Sequence, residues 1–422
     1  MNYLISRLKH SLLALAVTGI LLPDSTLAQS IFINDATLHT MGSRGVLQEA
    51  DLLIREGRIK AIGPDLAAPA DSTVIEAGGR PVTPGFFAGI TRLGLQEIGL
   101  EPSTVDASLA TEAMRPEFDV TLAYNPHATA IPVTRIEGYT WTVLGPGPAG
   151  SIIGGQGQAV SLDGGFQSFQ GGKLLFIDVG SDTSELSGGS RAAQWMLLNQ
   201  ALSESRSELR WSPDALLTVT GRQVLAEFID KNIVVFDVDR ASDILQLLEF
   251  AEKHHLNPVI LGGAEAWMVA DKLAETGVPV LLDPLINLPL SFDQLGARLD
   301  NAAILHEAGV TISFNSGQSN NARKLRQTAG NAVANGLPYE AALAGLTLNP
   351  SRIFDLGQES GLLQENSPAD LVIWSGDPLE VTSVADQVVI NGKLIPMVSR
   401  QTLLRDRYLP QEPAMPRSYI KP

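Results

Sequence analysis

Cysteine is absent from all 422 residues. No disulfide framework can hold this chain, so its stability must come from an apolar core that a chain of this length can bury. Basic residues are also few, with 30 Lys and Arg against 46 Asp and Glu and a formal charge of −16. That balance argues against nucleic acid or an anionic membrane surface as a partner. Histidine is scarce, at six residues. After the first thirty residues no uninterrupted apolar run approaches the ~20 residues that cross a bilayer.

The one early apolar run, Leu12 to Leu22, follows Arg7 and Lys9 and stops at Pro23 and Asp24. It is too short for a membrane anchor, and Thr26-Leu27-Ala28 supplies small residues at the outer cleavage positions. Residues 1–28 are therefore expected to be a secretory signal peptide cleaved after Ala28. The expected location is periplasmic or secreted, with no membrane span after cleavage and no cysteine for lipid attachment.

From Ile31 to Val82 the sequence reads as short strands broken by Gly57, Gly63-Pro64 and Gly78-Gly79. The texture returns in ADLVIWSGD and DQVVINGKLI, where Asn391-Gly392 is a hairpin turn signal. The two chain ends are expected to share a small β-sandwich domain, residues 29–84 plus 360–400. Between them, apolar strands such as KLLFIDVG, NIVVFDVD, NPVILGG, VPVLLD and VTISFNS alternate with amphipathic helical patterns. These include ASDILQLLEFAEKHH, EAWMVADKLAETG and FDQLGARLDNAAILHEAG. Such alternation predicts an α/β fold with a parallel sheet and right-handed crossovers. Residues 85–359 fit a (β/α)8 TIM-like barrel, with a doubly wound open sheet as the alternative. The glycine-rich stretch 145–172 lacks a Walker Lys-Ser/Thr and has no strand–helix bracket, so a long irregular loop over one barrel end is expected. Residues 401–422, rich in proline toward the end, read as an extended tail.

The entry segment Pro81-Val82-Thr83-Pro84-Gly85-Phe86-Phe87 resembles the start of the barrel in the amidohydrolase superfamily. Ala341 to Leu356 with Pro368-Ala369-Asp370-Leu371-Val372-Ile373-Trp374 resembles that superfamily's last helix and return to the β domain. Leu93 to Ile98, Ile131 to Arg135 and the segment around Gly154-Gly155-Gln156 resemble an exported subgroup of the imidazolonepropionase-like branch. The resemblance implies hydrolysis of carbon–nitrogen bonds other than peptide bonds. It also implies a centre built from a His-x-His on strand one, histidines on strands five and six and an aspartate on strand eight, which hold one or two divalent metals that lower the pKa of a bound water. In this sequence those positions are Ile90-Thr91-Arg92, Asp237, Gly262 and Gly317. The metal site is therefore expected to be degenerate, with no cofactor, although Asp237 could serve as a lone hard-oxygen ligand.

The remaining histidines do not restore a centre. His39 falls in the β unit, His306 in a helix, His254 and His255 at a helix end, and His127 in a loop. A barrel nonetheless collects side chains at the C-terminal ends of its strands. Arg92 and Asp237 are the candidate catalytic residues there. Glu97, Asp239, Arg240, Glu265, Asn315 and Ser316 are the candidate ligand-binding residues, with Asp178 and Asp283 in the same wall. Arg92 either clamps an anionic ligand or pairs with Asp237 to neutralise charge. Asp237 acting as a base needs burial to raise its pKa, which a neighbouring arginine would oppose. Two functions remain open: a carbon–nitrogen hydrolase with a rebuilt site, or a noncatalytic barrel. The latter would bind a small molecule, self-associate or partner an active homologue.

Overall fold

The structure, a computed structural model, describes residues 30–111, 113–206, 213–317 and 319–409. The expected signal peptide and the tail beyond residue 409 lie outside these residues. The described chain opens with β1 (Ser30–His39), β2 (Val46–Arg55), β3 (Arg58–Gly63), β4 (Ser72–Glu76) and β5 (Pro81–Pro84). The barrel strands follow: β6 (Phe86–Thr91), β7 (Tyr139–Leu144), β8 (Ile153–Ser161), β9 (Phe169–Asp178), β10 (Ile233–Val238), β11 (Asn257–Gly262), β12 (Val280–Leu282) and β13 (Ile312–Phe314). The chain then returns through β14 (Leu371–Trp374), β15 (Ala385–Ile390) and β16 (Lys393–Leu394).

Both chain ends build one sheet, as expected, in the order β16-β15-β14-β5-β1-β2-β3 with β4 also paired to β1. The seam is β5 against β14, antiparallel, with Val82 opposite Ile373. Alternation supplies its core: Ile31, Ile33, Leu52, Ile54, Leu371 and Ile373 fall in one buried cluster. Asn391 and Gly392 form the two-residue turn between β15 and β16, with φ of 51° and 69°, the left-handed pair that a type I′ turn requires.

The second sheet runs β13-β12-β11-β10-β9-β8-β7-β6, eight strands curled into a nearly closed barrel. Each of the five strand motifs noted in the sequence coincides with one strand from β9 to β13. Several expectations change. The glycine-rich segment is not a loop: Ile153–Ser161 is a barrel strand, antiparallel to both β7 and β9. The sheet is therefore not wholly parallel, because hairpin-like connections replace two helical crossovers at this point. The helix read through FDQLGARLDNAAILHEAG is also broken, into a 3-10 turn at Phe292–Gln294 and a helix at Asn301–Glu307. The tail, expected to be extended from residue 401, begins instead with a helix, Arg400–Tyr408, started by the Ser399/Thr402 capping box. Among the described residues no helix is long and apolar enough to cross a membrane.

Strand periodicity decides what faces the barrel interior. Phe176 on β9, Val235 on β10, Val259 on β11 and Leu281 on β12 belong to one interior cluster. Their sequence neighbours Leu175, Val234, Ile260 and Val280 face outward into the helix-packed core. Two residues beyond Phe176, Val235 and Leu281 come Asp178, Asp237 and Asp283. Period two aims all three at the mouth.

Candidate functional site at the barrel mouth

A cavity of about 930 Å³ opens at the C-terminal ends of the strands. Its floor is apolar, made of Phe176, Val235, Leu261 and Leu281, and above it lie Asp178, Asp237, Asp239, Asp283 and Arg92. Asp178 and Asp237 are register partners on adjacent parallel strands, which lie ~4.8 Å apart. Their side chains point to the same face. Asp237 is open to the cavity and Asp178 is half-buried, and both are flanked by the packed barrel wall.

This placement sets the proton affinities. Burial pushes the Asp178 carboxyl up to about 7, and the positive charge of Arg92 opposes part of that rise. Asp237 is raised well above the ordinary carboxylate range, first by burial and then by the like charges of Asp178, Asp239 and Asp182. Asp239 is raised by burial, against hydrogen bonds from Gln294 and the Ala264 N–H. Asp283 is raised by burial as well, with the Leu285 N–H opposing. The mouth therefore carries an adjacent pair of carboxyls that resist sharing two negative charges.

Arg92 follows strand one and is held by its backbone. Its N–H donates to Ser319 Oγ at 2.7 Å, and the Ile90 N–H donates to Asn315 Oδ1 at 2.8 Å. These two bonds join strand one to the segment after strand eight. Gly89, at φ 87°, permits the close approach, because a Cβ there would stand 2.7 Å from Asn315 Oδ1. The Arg92 guanidinium lies over Gly147, where a side chain would collide with it. Its positive charge acts on Asp178 and lowers the proton affinity of that carboxyl.

The other sequence candidates divide. Glu97, Asp239, Asn315 and Ser316 line the cavity. Glu97 sits at the rim, accepting from Asn125 Nδ2 and the Thr129 N–H at the start of the helix Ala130–Arg135. Arg240 and Glu265 lie outside the cavity lining and do not fit a ligand-binding role. Arg240 donates two bonds to Asp243, while Glu265 accepts the backbone N–H of Ala241 and of Gly296. Both residues fasten loops. Sequence reasoning missed Gln294, which donates to Asp239 at 2.7 Å, and Ser319. Neither belongs to a motif, because each acts from a loop brought in by the fold.

The histidines hold structural or surface positions. The His254 ring bonds Arg206 Nη1 and Asn199 Oδ1, and burial together with Arg206 lowers its pKa. A neutral ring that accepts from Arg206 therefore replaces the cation suited to a helix end. His127 is exposed and packs edge-on against Phe166.

The residues at the mouth do not fit a divalent metal. Strand one contributes an isoleucine and a guanidinium, and no cluster of three or more His, Cys, Asp or Glu with metal-binding geometry occurs among the described residues. At Gly262 the space for a ligating side chain is filled: a Cβ there would lie 2.7 Å from Asp239 Oδ1 and 3.3 Å from Asp237 Oδ1.

Residues 202–395 match the model of the amidohydrolase family. A 90-residue segment is 36% identical to the amidohydrolase tasK of Hapsidospora irregularis, covering 21% of this chain and 9% of that protein. A 57-residue segment is 46% identical to the imidazolonepropionase of Mycolicibacterium smegmatis, covering 14% of each chain. The chain thus spans a small part of the curated relatives it matches. Over its length it superimposes on an amidohydrolase from Thermotoga maritima with a TM-score of 0.78 and 24% identity, covering 87% of this chain and 99% of that one.

Proposed function

We propose, for a chain with the amidohydrolase-superfamily fold, that the mouth hydrolyses a carbon–nitrogen bond using the Asp178–Asp237 carboxyl pair and no resident divalent metal. The observation that carries this reading is the adjacency of two carboxyls on neighbouring strands, both lining one cavity and both raised by burial. Asp178, near pH 7, takes a proton from water as its oxygen bonds to the carbonyl carbon. Asp237, raised well above the ordinary carboxylate range, serves as the proton donor to the carbonyl oxygen as the double-bond electrons move onto it. The leaving nitrogen then takes the proton from Asp178 as the carbon–nitrogen bond breaks, and Asp237 is reprotonated as the carbonyl re-forms. Arg92 suits an anionic group on the substrate.

A second reading has its own support. Ile90, Arg92, Gly262 and Gly317 replace every other position at which the superfamily places a ligand, which favours a noncatalytic barrel that only binds such a molecule. One experiment separates the two. The purified full chain is assayed for metal content and for amine release from N-acetylamino acids, lactams and hydantoins. Turnover without stoichiometric metal, abolished by Asp178→Asn, supports the hydrolase. Binding without turnover supports the noncatalytic barrel, and stoichiometric zinc, iron or manganese would overturn the metal-free site.

A further inference from the structure

The rim of the same cavity is of opposite character to its acidic wall. Ile98 and Leu100, in the loop after strand one, are 61% and 96% exposed. Leu288, Leu290 and Phe292, in the loop after strand seven, are 71%, 86% and 82% exposed. Ile98, Leu100 and Leu290 line the cavity together with Arg92, Asp178 and Asp237. Large apolar side chains left in water at the edge of a pocket mark a binding surface.

The strand-seven loop is not a loose segment. The Ser181 N–H and hydroxyl both donate to Asp293 Oδ2, and Arg191 pairs with the same carboxylate. Gln294 donates to Asp239, the Gly296 N–H donates to Glu265, and Trp267 Nε1 donates to the Gly296 carbonyl. These polar contacts pin the stretch 293–296 to three neighbouring loops. Leu290 precedes this pinned stretch, its N–H donates to Gln294 Oε1, and its side chain lines the cavity.

We infer that the ligand is amphiphilic: an amide with an anionic head near Arg92 and a flexible apolar acyl arm lying across the collar formed by Leu100 and Leu290. This inference rests on the reading of Asp178, Asp237 and Arg92 as the polar site. Continuity argues for one occupant, since the acids and the leucines border a single space. Size agrees, because about 930 Å³ stands near the upper end of the ~300–1,000 Å³ usual for small-molecule sites. A compact head alone would leave the collar wet.

The test is calorimetric titration of the full chain with N-acylglycines of two, four, six and eight acyl carbons. Affinity is expected to rise by about 2- to 4-fold for each added CH₂. The double variant Leu100→Ser/Leu290→Ser, altered only at exposed positions, is expected to flatten that series. Affinity independent of chain length in the wild type overturns the acyl-arm assignment but leaves the polar site standing. Binding that survives Arg92→Met unchanged overturns the head-group reading instead, and absence of binding at every length overturns both. Sedimentation of wild type and double variant supplies the last arm: a wild-type dimer that the double variant dissociates would make a second copy the occupant and sink the proposal.

Discussion

A carboxyl placed above an apolar floor costs the folded state stability whenever it ionises, and Asp178 is where this cost meets function. Its folded-state value of about 7 lies above the ~3.9 of an unfolded aspartate. The folded chain therefore holds that proton more tightly than the unfolded chain. The advantage is full below about pH 4 and is lost as the pH rises to about 7. Asp178→Asn, which cannot ionise, is expected to raise the Tm by ~2 °C or more at pH 8 and to leave it nearly unchanged at pH 4. Melting curves at the two pH values check this, and an equal shift at both would contradict the linkage. The same substitution is expected to lower kcat/KM at least ~100-fold, the scale of a lost general base. In the wild type, kcat/KM should climb with pH through about 7 as Asp178 ionises. These roles were partly legible beforehand. Asp237 and Arg92 stood out because they fall where the resembled superfamily places metal ligands, and Asp178 because it ends an apolar strand. Their juxtaposition was not legible, since the adjacency of Asp178 and Asp237 depends on strand register and the placing of Arg92 on Ser319 and Asn315 across the seam. Arg240 and Glu265 were misplaced because they follow strand ends in sequence but turn away from the cavity to cap neighbouring loops.

An element can be hidden by the property that makes it fit. Strand β8 reads IGGQGQAVS, and glycine carries neither a strand preference nor an apolar alternation. The strand pattern in the sequence fails there for a steric reason inside the barrel. A Cβ on Gly157 would sit 1.8 Å from the Leu144 carbonyl oxygen and 2.9 Å from the Phe176 ring. Small residues on β8 thus admit the large aromatic of β9 to the interior, and the antiparallel ladder of Val143 with Ala159 holds the pair of strands together. Strands β9 to β13, rich in Val, Ile, Leu and Phe, needed no such accommodation and were readable directly. Gly157→Ala is expected to destabilise the fold by ~3 kcal/mol, at the upper end of overpacking costs, because backbone on the opposing strand cannot step aside. Urea titration measures it. A loss below ~1 kcal/mol would mean that β8 can shift, as the loop first expected at 145–172 would.

Across the whole molecule, one face of the chain-end sheet packs into the helix-lined core of the barrel, while its other face keeps a core of its own. Val372, Trp374 and Val388 of the sheet lie in the same buried cluster as Phe86 and Tyr139 of the barrel. Trp374 closes over Gly138, where a Cβ would stand 2.3 Å from its ring. The strongest polar tie is Arg326, 2% exposed, on the barrel helix Leu325–Ala334. Its guanidinium donates to the carbonyls of Pro378, Glu380 and Ser383, in the connection between β14 and β15, and it packs on the Trp374 ring. Its own N–H donates to the Tyr139 hydroxyl at 2.7 Å. Three carbonyls would lose their donor if the side chain were shortened or made apolar, each at a cost of ~1–3 kcal/mol. Arg326→Met is therefore expected to destabilise the chain by ~3 kcal/mol or more, and Arg326→Lys by less, since an ammonium restores part of the donor set without the planar fork. Because the tie spans both sheets, the loss should appear as one cooperative transition moved to lower urea, with the same midpoint by tryptophan fluorescence and by far-ultraviolet circular dichroism. Two separated transitions would instead show that the sheet built from the chain ends unfolds independently of the barrel, and that Arg326 secures only its own loop.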